Sequence, residues 1–146
     1  MNNNECQKLI KSILGKNISN IDVSCDNLYF SISQNLVLRC MSILNSNAET
    51  LFSSLIDCFA VDYTQQRDEF SIYYQLHSYK IDKSIFIVTN VKKNVQMQSA
   101  TVLFENANWY EREIFDMFGI VFNDHPDMRR ILSRDEIRGF PMLKFI

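Results

Sequence analysis

Between residues 70 and 77 the chain alternates with strict period two. Phe70, Ile72, Tyr74 and Leu76 fall on one side, and Ser71, Tyr73, Gln75 and His77 on the other. Only a pleated strand sends successive side chains to opposite faces, so this run is read as a half-buried strand. Ser84 to Val91 is β-branched and apolar, which makes a second strand, and Tyr79 to Lys83 joins the two as a hairpin. A chain of 146 residues that must cover such a hairpin suits one sheet-containing domain.

The remaining elements are read from the same two periods. Cys6, Leu9, Ile10, Ile13 and Leu14 have helical spacing with Gly15 as the stop, giving a helix near residues 5–14. Ile18 to Val23 and Leu28 to Ile32 read as short strands, with Ser24 to Asn27 as the turn. Leu36, Val37, Cys40, Met41 and Leu44 mark a helix near 34–44. Ser46-Asn47-Ala48-Glu49 reads as a capping box, and Leu51, Phe52, Leu55, Ile56 and Phe59 then predict a further helix over 47–60. Ser99 to Phe104 reads as a short helix. Asn108, three residues before Glu111, predicts the cap of a helix that runs to Phe118 and stops at Gly119.

The expected architecture is an α/β (α+β) two-layer sandwich of about four strands with helices on one face, over residues 1–119. An irregular extended arm, 120–146, follows. Phe122, Met128, Ile131, Leu132, Phe140, Met142, Leu143 and Phe145 would leave that arm with a large apolar surface in water, so it is expected to pack on partner subunits.

Several function classes are disfavoured by composition. Net charge is −2, so no basic field attracts nucleic acid. Three glycines and two prolines offer no phosphate-cradling loop. Cys6, Cys25, Cys40 and Cys58 form no CxxC pair and are read as buried reduced thiols, in keeping with a reducing compartment. No apolar run reaches the roughly 20 residues that span a bilayer, and Met1 to Glu5 resembles neither a signal nor a transit peptide. Heavy use of Asn, Ile, Lys, Phe and Ser would follow from AT-rich coding DNA, common in organelle genomes.

Residues 108–132 read NWYEREIFDMFGIVFNDHPDMRRIL. This stretch closely resembles the signature of the family of respiratory complex I subunits designated C or, in mitochondria, NADH dehydrogenase subunit nine. That pattern has an ERE triplet, an acidic residue, an aromatic-Gly step, His-Pro, and a double Arg before Ile-Leu. Glu111, Arg112, Glu113, Asp116, Phe118, Gly119, His125, Pro126, Arg129 and Arg130 match it. The likeness continues more loosely upstream, through 60–63 and the 70–91 hairpin. Asp124 stands where the family often has Gly. Near the end Gly139, Pro141 and Lys144 match, while Phe140, Leu143 and Phe145 depart from the pattern.

The resemblance implies a non-catalytic scaffold subunit in the hydrophilic arm of NADH:ubiquinone oxidoreductase. Its partners would be the subunits that form the quinone cavity and hold the terminal iron–sulfur cluster. FMN and the clusters are expected on those neighbours and none on this chain. The expected location is the matrix side of the mitochondrial inner membrane, organelle-encoded, or the cytoplasmic face of a bacterial membrane. The enzyme would be the proton-translocating NADH:ubiquinone reductase as a whole.

Physically, Glu111, Arg112 and Glu113 are read as an ion-pair network that fixes the arm against the domain or a neighbour. Arg112 has a planar fork suited to a partner carboxylate. His125 is expected to bond locally beside Pro126, with no metal, because Asp124 and Asp127 point apart in an extended chain. Arg129 and Arg130, interleaved with Met128 and Ile131, suit a partner surface, and Trp109 suits a core or interface anchor. His77 is expected at the surface. Two other readings stay open: an adaptor domain of another complex, and a small hydrolase using Glu111, Glu113 and His125.

Overall fold

The computed structural model describes residues 2–130 and 139–140. The chain divides into two compact units, residues 1–57 with 73–89, and residues 58–72 with 90–146. A five-stranded sheet has the order β1-β2-β5-β4-β3, where β1 is Ile18–Ser24, β2 Asn27–Ile32, β3 Ser54–Asp62, β4 Glu69–Ser78 and β5 Lys83–Lys92. β3, β4 and β5 each carry residues of both units.

The first unit opens with helix α1, Asn3–Leu14. Its first turn is closed by a reciprocal cap: the Asn2 side chain accepts from the Glu5 amide while Glu5 reaches back to the Asn2 amide. Cys6, Ile10 and Leu14 form its buried stripe. Gly15 then takes a positive φ of 55°. β1 and β2 pair antiparallel from Ser24 opposite Asn27. The turn holds Cys25 and Asp26 at φ 49° and 65°, both left-handed, as the right-twisted hairpin demands. Asn3 donates to the Asp26 carbonyl and ties that turn to α1. β2 buries Leu28, Phe30 and Ile32 on alternate positions, and its residues Leu28 to Ser31 pair parallel with Ile85 to Val88 of β5. Helix α2, Val37–Ser46, packs on α1 and buries Val37, Cys40, Met41 and Leu44. On β2, β4 and β5, Tyr29 stacks on Phe86 at 4.7 Å and meets Tyr73 edge-on at 6.3 Å.

The helix expected over 47–60 is absent; residues 54–62 form strand β3 instead, which raises the strand count from about four to five. Local chemistry explains the error. The Ser46 hydroxyl does not cap anything downstream; it donates back to the Ser42 and Ile43 carbonyls at the end of α2. Asn47 Oδ1 accepts from the Glu49 amide, and the Leu51 amide returns to the Asn47 carbonyl. Leu51 sits at φ 44°, which no helix interior tolerates. Within β3 the buried residues are Leu55, Cys58 and Asp62, three and four apart. A strand at the end of the sheet order thus imitated a helical period, while its Ile, Phe and Val content followed strand preference. The turn is fastened by the Ser78 hydroxyl, which donates to the Thr50 carbonyl, and by Lys80, which donates to the Ala48 carbonyl.

The expected hairpin of β4 and β5 is present, with Asp82 at φ 50° in its turn. His77 is half-buried, not exposed: Nδ1 lies 2.8 Å from the Ser84 hydroxyl and the ring meets Tyr79 edge-on. Three of the four thiols are buried as expected, but Cys25 is exposed at its turn.

The second unit holds the short helix α3, Thr64–Arg67, capped by Asp62, whose carboxylate accepts from the Thr64 amide and hydroxyl. Strand β6, Met97–Gln98, pairs parallel with β7, Phe122–Asn123. The helix expected over 99–104 is a single turn closed by the Phe104 amide on the Ala100 carbonyl. Helix α4, Ala107–Phe118, begins after Asn106, so Asn108 lies inside its first turn and not at its cap. α4 stops at Gly119, φ 81°, as expected. Phe118 meets Phe70 edge-on at 5.8 Å. The arm residue Phe122 is 2% exposed, while Met128 and Phe140 are half-buried. Ile131, Leu132, Pro141, Met142, Leu143, Lys144 and Phe145 lie outside the described residues. No helix among the described residues is long and apolar enough to cross a membrane.

Gly119 is constrained twice. Its φ is one that side-chain-bearing residues rarely adopt, and a Cβ there would lie 2.6 Å from Cε2 of Phe140. Gly119→Ala is therefore expected to cost about 2–3 kcal/mol in urea unfolding. A loss below about 0.5 kcal/mol would show that neither constraint operates.

Candidate functional site

The signature residues sit on α4 and on the segment after it, all in the second unit. Helical spacing sorts them. Ala107, Glu111 and Ile114 recur at four and three residues and form the buried stripe of α4, so Glu111 is carried inward. Glu113, two residues on, is exposed on a different side of the helix. Trp109 is 60% exposed, so it is no core anchor.

Glu111 is fully buried. Its Oε1 accepts from the Ala100 amide at 2.6 Å, and its Oε2 accepts from the Ser99 hydroxyl at 2.7 Å. Ser99 Oγ is itself within 2.8 Å of the Thr101 hydroxyl and accepts from the Thr101 amide. His125 Nε2 stands 3.8 Å from Glu111 Oε2, with both side chains sealed from solvent. The imidazole is fixed on both edges. Nδ1 accepts from the Asp127 amide at 2.9 Å, across Pro126, and Nε2 donates to the Asn108 carbonyl at 3.1 Å. That pattern assigns the proton to Nε2 and leaves the ring neutral. Glu111 therefore faces no full positive charge. Burial pushes its carboxyl from the ordinary 4.5 up to about 7, against the Ala100 amide and the Ser99 hydroxyl, which pull it down.

A second group of contacts holds the segment beyond His125. Among the described residues Arg112 meets no carboxylate; its Nε donates to the Arg129 carbonyl at 3.0 Å and its Nη2 to the Arg130 carbonyl at 3.3 Å. Its guanidinium carbon lies 5.3 Å from the Trp109 ring. Arg130 turns inward: Nη1 reaches Asp116 Oδ1 at 3.1 Å, Nη2 donates to the Gly139 carbonyl at 2.8 Å, and its guanidinium carbon lies 5.1 Å from the Phe140 ring. Asp116 is fully buried, so removing the Arg130 guanidinium takes away a charge that its carboxylate faces in a dry site. Phe140 closes the group against Phe115, 6.0 Å between rings. Arg129 is the exposed member. It forks onto Asp127 with two bonds of 2.7 Å, which hold the Asp127 carboxyl below its usual range, and such a solvated pair adds little stability.

The two groups together fasten residues 125–130 and 139–140 onto α4. The ion-pair network expected of Glu111, Arg112 and Glu113 is not formed among the described residues: Glu111 is held by neutral donors, and the buried pair is Asp116 with Arg130, a residue expected at a partner surface. The structure does not assemble the hydrolase alternative. Glu111 and His125 meet, but Glu113 is exposed elsewhere, and the two that meet have no solvent-accessible face for a substrate. Among the described residues no three His, Cys, Asp or Glu side chains are grouped to hold a metal. Asp124, at φ 63°, accepts from Gln98. Ser99, Ala100, Thr101 and Asn108 were not singled out from sequence as partners of the site. The available signal was Glu111 itself: an acid on an apolar helix stripe requires donors.

These geometries fix a pH dependence. The folded Glu111 carboxyl binds its proton more tightly than the unfolded one. Its contribution to stability is therefore fully present below about pH 4.5 and lost as pH rises through about 7. The loss amounts to about 3 kcal/mol at full ionisation. Gln at this position keeps an acceptor for Ala100 and a donor for Ser99 without ionising. Glu111→Gln is expected to flatten the fall in urea midpoint between about pH 5 and about pH 8. An unchanged fall would mean that Glu111 does not carry it.

Residues 30–145 match the family model of the respiratory-chain NADH dehydrogenase 30 Kd subunit. The chain is 36% identical over 123 residues to the NADH-quinone oxidoreductase C subunit of Roseobacter denitrificans, covering 84% of this chain and 62% of that one. It is 36% identical over 141 residues to the same-named protein of Rickettsia bellii, covering 94% and 71%. It is also 39% identical over 108 residues to NADH-ubiquinone oxidoreductase subunit 9 of Reclinomonas americana, covering 74% and 53%. The chain thus spans between half and three quarters of the length of these relatives. Among solved structures, a chain of an archaeal membrane-bound sulfane sulfur reductase, a respiratory membrane complex, superposes with a TM-score of 0.76 at 20% identity. The match covers 90% of this chain and 78% of that one, a likeness of fold. With its signature carried on α4 and the segment fastened to it, this chain belongs to the 30 kDa subunit family of respiratory-chain NADH dehydrogenase.

Proposed function

We propose that the chain is a scaffold subunit of the hydrophilic arm of NADH:quinone oxidoreductase, with no catalytic step of its own. The observation that carries this reading is the state of the signature residues. Glu111 and His125 are sealed from solvent, and Asp116, Arg112 and Arg130 are engaged with the backbone or with each other. Groups held in this way give a rigid shape; they do not reach a substrate. The relatives' names support membership of a quinone-reducing complex.

In this reading the chain fixes the positions of neighbouring subunits, so that the distance from the terminal iron–sulfur cluster to quinone is kept. FMN and the clusters sit on those neighbours, and proton translocation is coupled elsewhere in the assembly. The chain lies peripherally on the matrix side of the mitochondrial inner membrane, or on the cytoplasmic face of a bacterial one. Exposed Trp109 and Val102 and the Arg129 side chain suit a rim that other subunits cover.

Native-size separation of mildly solubilised source membranes tests the proposal. The chain is expected to migrate with NADH dehydrogenase activity, and recovery solely as a small soluble protein would exclude the reading. Arg112→Ala removes the two bonds from the Arg112 side chain of α4 to the 129 and 130 carbonyls. The amount of assembled complex is expected to fall several-fold while turnover per assembled complex stays within about twofold. Normal assembly with strongly reduced turnover would contradict a scaffold role.

A further inference from the structure

One cleft of the second unit adjoins the fastening of the arm at Phe140. It has a volume of about 280 Å³ and opens between the 92–96 turn and residues 118–121. Phe70, Phe118 and Phe140 line it with aromatic residues, and Lys92 and Lys93 are also among its lining. The turn is built, not loose: the Val95 amide returns to the Lys92 carbonyl, the Lys93 amide donates to the Asp68 carbonyl, and Asn94 holds φ 67°. Val95 and Val121, also lining it, are 42% and 37% exposed.

Charge and size select the occupant. Among the described residues no Asp or Glu lines the cleft and no carboxylate pairs with Lys92 or Lys93, although acids outnumber bases in the chain. Two neighbouring lysines without a carboxylate partner among the described residues, lining the same cleft as three aromatic rings, complement an acid that follows a large apolar side chain. The volume is below the roughly 300–1,000 Å³ of sites for drug-sized ligands and suits one or two side chains. We propose that this cleft docks a short acidic segment of a neighbouring protein subunit. One large apolar side chain would be seated on Phe70, Phe118 and Phe140, and an adjacent carboxylate would be held by Lys92 and Lys93. This rests on the scaffold reading and adds to it the place and chemistry of one contact.

The test uses the whole complex from source membranes. A photo-crosslinking benzophenone side chain is placed at Val95, with the same group at exposed Val23 of β1 as control. The expected result is a crosslink from position 95, and not from 23, to another subunit at a peptide with Asp or Glu beside a large apolar residue. The double reversal Lys92→Glu with Lys93→Glu is expected to lower both that crosslink and the assembled complex about fivefold or more. Changing the crosslinked acid to Lys is expected to restore both. Crosslinking within the chain's own C-terminal segment, to lipid or to nothing overturns the proposal, as does normal assembly of the double reversal. Failure of the wild-type chain to migrate with the complex would instead overturn the scaffold reading.

Discussion

The second unit depends on a carboxyl group enclosed away from water. Glu111 on α4 accepts from the Ala100 amide and the Ser99 hydroxyl, and His125 fills the remaining side at 3.8 Å. An ionised carboxylate placed in a dry site without donors would be prohibitive, so the loop before α4 and the segment after it must both come to the helix. One acid therefore sets the position of two stretches of chain. His125 extends the arrangement, since its two nitrogens are tied to the Asn108 carbonyl and the Asp127 amide. Beyond it Arg112 and Arg130 continue the fastening through backbone carbonyls and Asp116.

This arrangement separates two meanings of a charged motif. Acids and bases close together suggest acid–base chemistry, and Glu111 has the raised pKa that such chemistry uses. Here the group is closed to solvent, and the neutral ring beside it already has both nitrogens bonded. The raised value follows from enclosure, as in structural polar clusters generally. Exposed Glu113 and the solvated Asp127–Arg129 pair show how little of the motif's charge faces water in a way that would act at long range.

Much of the fold was legible in the sequence where local period and burial agree. The 70–77 alternation, the Cys25–Asp26 turn and the Gly119 stop each follow from a single residue pattern. Legibility failed at β3, where an end strand buried residues three and four apart and Ser46 spent its hydroxyl on its own helix. It failed again at Asn108, whose carbonyl, not its side chain, is the functional atom. Of the site, the concentration of charged residues on and after α4 was legible, but the inward pairing of Arg130 with Asp116 was not, because Arg130 interleaved with apolar residues read as a partner surface. Nor were the partners of Glu111, because Ser99 and the Ala100 amide come from a stretch with no motif of its own and are brought in by tertiary packing.

The central claim is that the signature residues form an internal fastening and not a surface completed by other subunits. Amide hydrogen exchange at Ala100 and Asp127 tests it most directly, because those N–H groups donate to Glu111 and His125. Measured on the isolated chain and on the assembled complex, both amides are expected to be protected in each. Rapid exchange in the isolated chain, with protection gained only on assembly, would contradict the account.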